Sequence, residues 1–299
     1  MNKNELKGIF AAIPTPMNDS GSKLDEERLC NLIERLMKTS VNGFLVTGGT
    51  GEYNALSKEE RKTVLQVTID CVRGKLPVIA GILAPGLYDV AEMLKIASSL
   101  KANAAMVINP YYVISTQEGL VDYFKYLDQI SSLPIIIYNM PSRTRVNLSP
   151  ATLSKLLDET ENIIGVKESS LDGKHLVELI KLCGRKAAVL SGEEYTTFSG
   201  LLLGAQGAIL PSANIIPNMW TQIYHNISCG NIEKAREDFF RICPFINSLF
   251  VETNPGPLKQ ALRFLNIDTG GTRQPLTPLK QESITLIKKL MESSNIDFI

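Results

Sequence analysis

Short apolar and β-branched runs alternate with amphipathic segments from one end of this chain to the other, and that rhythm leaves few folds open. Eight candidate strands follow, at residues 9–13, 43–47, 77–81, 104–108, 134–138, 163–167, 187–191 and 207–210. They are apolar throughout rather than at every second position, so both of their faces should be buried, as in a parallel sheet covered by helices. Between them, spacings such as Leu29, Leu32, Ile33, Leu36 and Met37 line one face of a helix for packing on a sheet. Ser57 with Glu60 and Ser115 with Glu118 read as capping boxes, and Ser149 precedes a proline at the first helical turn. Eight such units fit a closed (β/α)8 TIM barrel better than an open doubly wound sheet, which stands as the alternative.

A barrel of this kind needs about 250 residues, and this chain has 299. The expected division is a barrel over residues 1–225 and a C-terminal helical region over residues 226–299. Three helical patterns fill the latter, at 232–250, 258–265 and 280–291, with Pro244 expected to kink or split the first.

Composition narrows the function. With 31 basic and 31 acidic side chains there is no polybasic segment, so nucleic acid and membrane surfaces are poor partners and small molecules are better ones. No signal-peptide core and no apolar run near the roughly 20 residues of a membrane span is found, and a cytoplasmic location is expected. The five cysteines, Cys30, Cys71, Cys183, Cys229 and Cys243, are odd in number and scattered, and are read as buried reduced thiols. His175 and His225, the only histidines, fall in helical segments away from the strand ends and read as structural. With no close Cys or His pair, neither a metal site nor a histidine triad is expected.

The chemistry instead collects at strand ends, where barrels of this type place their active sites. The sixth run closes on Lys167, whose burial would disfavour the charged ammonium and leave an amine able to attack a carbonyl carbon. A lysine lying along an apolar surface with its head in water is the plain alternative. Tyr138 closes the fifth run, one strand over, where its hydroxyl could pass protons; a core tyrosine is the alternative. The second run leads into Thr47-Gly48-Gly49-Thr50-Gly51-Glu52, a turn in which glycines at positive φ would expose amides to a carboxylate, with the Thr50 hydroxyl beside them. A plain tight turn explains the glycines equally well. Arg143 offers a fork suited to a second acidic group or is a surface arginine, and Tyr111-Tyr112 suits an interface as readily as catalysis.

Taken in order, Pro14-Thr15-Pro16, GGTGE, NPYY, YNMPSRT, GVKES, Ser191-Gly192-Glu193-Glu194, NPGPLK and RQPLTPL make nearly the whole chain resemble the family of dihydrodipicolinate synthase and N-acetylneuraminate lyase, pyruvate-dependent class I aldolases. The resemblance implies Lys167 as the imine-forming lysine and Tyr138 as the proton-relay tyrosine. Tyr112 would be the relay tyrosine lent by a neighbouring subunit. Gly49 and Thr50 would bind the pyruvate carboxylate, and Ile209 would contact substrate through its backbone. It implies no cofactor, small-molecule substrates in pyruvate and an aldehyde, and a homo-oligomer, dimer or tetramer. Arg143 and the NPGPLK segment resemble the synthase branch, where that arginine holds the carboxylate of aspartate semialdehyde on the route to lysine.

Two departures stand out. Synthases read G-T-T-G-E where this chain has Gly49, so the hydroxyl that links the two relay tyrosines is missing. GGTGE also resembles the turn of 2-keto-3-deoxy sugar acid dehydratases, which keeps a sugar acid aldolase or dehydratase, or a neuraminate-type lyase, as the alternative, with a noncatalytic keto-acid binder behind them. Lysine-inhibited synthases carry His, Asn and Glu where this chain has Lys58, Pro85 and Asp89, so weak or absent lysine inhibition is expected.

Overall fold

The structure, a computed structural model, describes residues 1–299. Its eight strands are β1 (Gly8–Ala12), β2 (Gly43–Val46), β3 (Val78–Ile82), β4 (Ala104–Ile108), β5 (Ile135–Asn139), β6 (Ile163–Glu168), β7 (Ala188–Ser191) and β8 (Gly207–Leu210). They close in sequence order into a barrel, and the pairings along it run parallel. Each lies within a residue or so of its expected position. The physical reason is burial: all but one of the strand residues, Ile164, are shielded from solvent, so the strands are apolar except at their C-terminal ends.

The helices are α1 (Glu26–Leu36), α2 (Lys58–Val72), α3 (Leu87–Ser99), α4 (Gln117–Ile130), the single turn α5 (Pro141–Thr144), α6 (Pro150–Asp158), α7 (Gly173–Cys183), α8 (Glu194–Leu203) and α9 (Pro217–Ser228), followed by α10 (Ile232–Ser248), α11 (Gly256–Phe264) and α12 (Gln281–Ser293). In α1 the expected stripe buries Leu29, Leu32, Ile33 and Leu36. The Ser57–Glu60 capping box is present at α2, and Ser149 caps α6 through the Thr152 amide. At α4 the cap is Thr116 rather than Ser115: its hydroxyl accepts from the Gly119 amide, shifting the start by one residue. Pro244 lies inside α10 without splitting it, and the helix runs unbroken over both halves.

The chain forms two compact units. One comprises residues 1–8 and 79–209, the other residues 9–78 and 210–299. In the first, the end of β5 and the end of β6 are joined in register, Tyr138 beside Lys167 and Asn139 beside Glu168. In the second, α10, α11 and α12 pack together, and Ile299 returns its amide to the Ile215 carbonyl.

The cysteine expectation needs correction. Cys30 of α1 and Cys71 of α2 are joined as a disulfide, because the packing of those two helices brings residues 41 apart in sequence face to face. Cys183, Cys229 and Cys243 are free, and Cys229 is exposed rather than buried. No helix is long and apolar enough to cross a membrane.

Candidate active site

Successive strand residues point to opposite faces, so β6 presents Lys167 on one side and Glu168 on the other. Lys167 is 5% exposed, and its Nζ sits 4.6 Å from the centre of the Tyr138 ring, its register partner on β5. Burial lowers the amine to about 8, against the opposing pull of the Glu194 and Glu193 carboxylates. Burial also pushes the Glu193 carboxyl up. The Lys167 stem has little room to move, because a Cβ on Gly192 would lie 2.5 Å from Lys167 Cε and 2.2 Å from Ser169 Oγ. The glycine after β7 is therefore a packing requirement of the lysine.

Tyr138 is buried too, and its hydroxyl donates to Met140 Sδ at 2.7 Å. Burial drives this phenol up to about 12, with the Ser169 hydroxyl and the Arg143 guanidinium acting the other way. A phenol so high keeps its proton at neutral pH and is a weak acid, so it could pass a proton only to a strongly basic oxygen such as a developing alkoxide.

On the opposite face of the same strand ends lies a polar network that the sequence reading missed. Glu168 accepts from Asn139 Nδ2 at 2.8 Å and from the Ser170 amide at 2.7 Å, and lies 3.2 Å from His175 Nε2. Asn139 accepts in turn from Asn109 at 2.9 Å and from the Leu148 amide at 3.1 Å. His175 is thus not remote from the strand ends, as its helical pattern had suggested: the first turn of α7 folds back over β6. Burial opposes its charge, but the Glu168 carboxylate outweighs that and holds the imidazole above its ordinary value. The network fixes the register that sets Lys167 beside Tyr138. A glutamate next to the lysine in an apolar run was the available signal.

In the second unit, the β2 turn is built differently from the expectation. Its positive φ values fall on Thr47 (53°) and Glu52 (55°), and not on the glycines between them. Left-handed geometry at two such residues costs on the order of 1 kcal/mol or more each, so the surroundings must enforce it. Gly51 is needed for close approach, since a Cβ there would stand 3.0 Å from the Thr47 amide. A Cβ on Gly49 would meet nothing within 4 Å. The amides of Glu52 and Tyr53 are spent within the turn, on the carbonyls of Gly49 and Gly48. The Thr50 hydroxyl accepts from Asn254 Nδ2 at 3.0 Å, and Glu52 meets Lys259 Nζ at 2.7 Å. Neither tail partner was foreseen.

The remaining candidates are placed as follows. Arg143 lies exposed in α5, one turn after β5. Ile209 is fully buried in β8. Tyr111 donates its hydroxyl to the Leu83 carbonyl at 2.9 Å, whereas Tyr112 has φ 75° and is 94% exposed, with Val113 and Ile114 exposed beside it.

Comparison with known proteins identifies the family of the chain. Residues 5–294 match the model of the dihydrodipicolinate synthetase family. The 4-hydroxy-tetrahydrodipicolinate synthase of Thermodesulfovibrio yellowstonii is 36% identical over 291 residues, 97% of this chain and 99% of that protein. That of Methanothrix thermoacetophila is 36% identical over 287 residues, 96% of each chain. The crystal structure of the chloride-inhibited dihydrodipicolinate synthase of Acinetobacter baumannii, complexed with pyruvate, superposes with a TM-score of 0.93 at 34% identity, covering 98% of this chain and 100% of that one. A buried amine beside a buried phenol at the ends of adjacent barrel strands, in a chain matched from end to end, admits one conclusion: this chain belongs to the dihydrodipicolinate synthetase family.

Proposed function

We propose that the chain is a Schiff-base-forming synthase that condenses pyruvate with aspartate semialdehyde, giving 4-hydroxy-tetrahydrodipicolinate on the route to lysine. The observation that carries the reading is Lys167: an amine held near 8 by burial, at the end of β6 and against Tyr138. Its relatives' names supply the reaction.

In this mechanism the neutral Lys167 amine attacks the keto carbon of pyruvate, and the oxygen takes up a proton to give a carbinolamine. Tyr138 donates a proton to the departing hydroxyl, water leaves, and a protonated imine remains. That cation draws electrons from the methyl carbon, which loses a proton to become an enamine and attacks the aldehyde carbon. The new C–C bond forms as the aldehyde oxygen is protonated, and attack of the product's own amine or of water on the imine frees Lys167. The Gly49 amide and Thr50 hold the pyruvate carboxylate, the Ile209 backbone contacts the same substrate, and Arg143 holds the carboxylate of the aldehyde. Tyr112, exposed on an apolar loop, is lent to the relay of a neighbouring copy, and the exposure of Val113 and Ile114 beside it supports a homo-oligomer that would cover them.

The open space at Gly49 favours a second reading, in which the aldehyde is bulkier and hydroxylated, as in a 2-keto-3-deoxy sugar acid aldolase. Borohydride reduction with pyruvate should leave a covalent pyruvate adduct on Lys167. Turnover of pyruvate plus aspartate semialdehyde, set beside cleavage of 2-keto-3-deoxygluconate and N-acetylneuraminate, then decides the substrate. No adduct, or a dominant sugar acid activity, would overturn the synthase.

A further inference from the structure

We infer that the C-terminal region supplies three positioning residues, Asn254, Lys259 and Arg273, that hold the β2 turn in its ligand-binding shape and cancel its charge. The inference rests on the proposed reading of that turn as the pyruvate carboxylate site.

Glu52 ends the turn in a left-handed conformation, buried, with both carboxylate oxygens taken by partners more than 200 residues away. Oε1 accepts from Lys259 Nζ at 2.7 Å and Oε2 from the main-chain amide of Arg273 at 2.8 Å. Lys259 is itself 4% exposed and donates also to the Gly271 carbonyl at 2.8 Å, so its position is set by the segment it joins to the turn. The Arg273 guanidinium grips Glu60 of α2 with two bonds, at 2.8 and 2.9 Å, and the Ala55 carbonyl at 3.0 Å. Both ends of the stretch from Glu52 to Glu60 are thereby tied to one tail residue. Asn254 donates to Thr50 Oγ1, which fills an acceptor site of that hydroxyl and leaves its own proton to be given elsewhere.

Two consequences follow for an anionic substrate. A left-handed pair at Thr47 and Glu52 persists only when its surroundings over-determine it, and these tail contacts are what over-determines Glu52. A buried carboxylate two residues from Thr50 would also repel an incoming carboxylate, unless a buried cation stands against it, and Lys259 is that cation. The clamp therefore acts on substrate affinity, while imine chemistry at Lys167 is left to other residues.

The test compares wild type with Lys259→Met, the charge-neutral pair Glu52→Gln/Lys259→Met, and Asn254→Ala, using pyruvate kinetics, borohydride trapping and amide hydrogen exchange of residues 47–55. Leaving Glu52 unpaired in Lys259→Met should raise the pyruvate KM by about 100-fold. The neutral pair, which restores electrostatic balance but not the tether, should raise it by about 10-fold, and Asn254→Ala by a few-fold. In all three kcat should hold within about 3-fold, trapping at saturating pyruvate should reach wild-type extent, and exchange in the turn should accelerate. The neutral pair and Asn254→Ala keep the test decisive if Lys259→Met does not fold. An adduct in wild type with unchanged KM and exchange in these two variants would overturn the inference alone. No adduct in wild type would overturn the underlying reading, and the inference with it.

Discussion

Replacing Lys167 with methionine should stabilise the protein while abolishing its chemistry. An amine at about 8, against an ordinary value of 10.5, is disfavoured in its charged form by the fold. That gap of about 2.5 pH units, at 1.36 kcal/mol each, makes the charged Lys167 cost the native state about 3 kcal/mol. The unfolded chain binds the proton more tightly, so the cost is present in full below about pH 8 and fades as pH rises toward 10.5. Methionine keeps the length of the stem without the charge, and at about 2 °C per kcal/mol for a chain of this size the melting temperature at pH 7 should rise by about 6 °C. The gain should shrink steadily in scans taken between pH 8 and 10.5. What the enzyme receives in exchange is reactivity: about one amine in ten is neutral at pH 7, against about one in three thousand for an ordinary lysine. A methionine variant no more stable than wild type at pH 7, or a gain indifferent to pH, would refute the claim that burial sets this amine.

The rate of imine formation with pyruvate should climb about tenfold per pH unit below 8 and level off above it, as stopped-flow or quench trapping would record; a flat profile through pH 8 would contradict the value at Lys167. Gly192→Ala should leave the fold intact by circular dichroism yet lower kcat by about tenfold or more, since the added methyl displaces the Lys167 stem. A Cβ at Gly49 would meet no atom within 4 Å, so the melting temperature of Gly49→Thr should stay near wild type. If the missing hydroxyl limits the relay, its turnover of aspartate semialdehyde should rise by about tenfold, and an unchanged rate would show that the relay runs without it.

The barrel was readable because its strands are buried on both faces: residues such as Ile135, Ile136 and Ile137 have no solvent side to mark with a polar residue, and turns must then bound each run. Lys167 was readable for the same reason, as a charge intruding on such a run. The failures have a different origin. Whether Cys30 and Cys71 are thiols or a disulfide depends on the approach of two helices, which neither helix's own periodicity encodes. His175 was set aside because it lies in a helical pattern, but what matters is the loop from Ser169 to Asp172, short enough to bring the first turn of α7 against Glu168.

Glu52 makes the limit plainer still. Within GGTGE it looks like the polar end of a tight turn, and its proper description needs Lys259 and Arg273. Those residues in turn look ordinary: Lys259 stands in a short amphipathic helix and Arg273 in a polar segment, each plausible at a surface. Pair formation inverts their meaning, because a buried carboxylate and a buried ammonium are each costly alone and tolerable only together. Local pattern reports what a residue prefers, while the site is set by which preferences are overridden jointly. For the same reason substitutions at Glu52 and Lys259 should be strongly non-additive: a double variant less impaired in pyruvate affinity than Lys259→Met would show the two acting as one group.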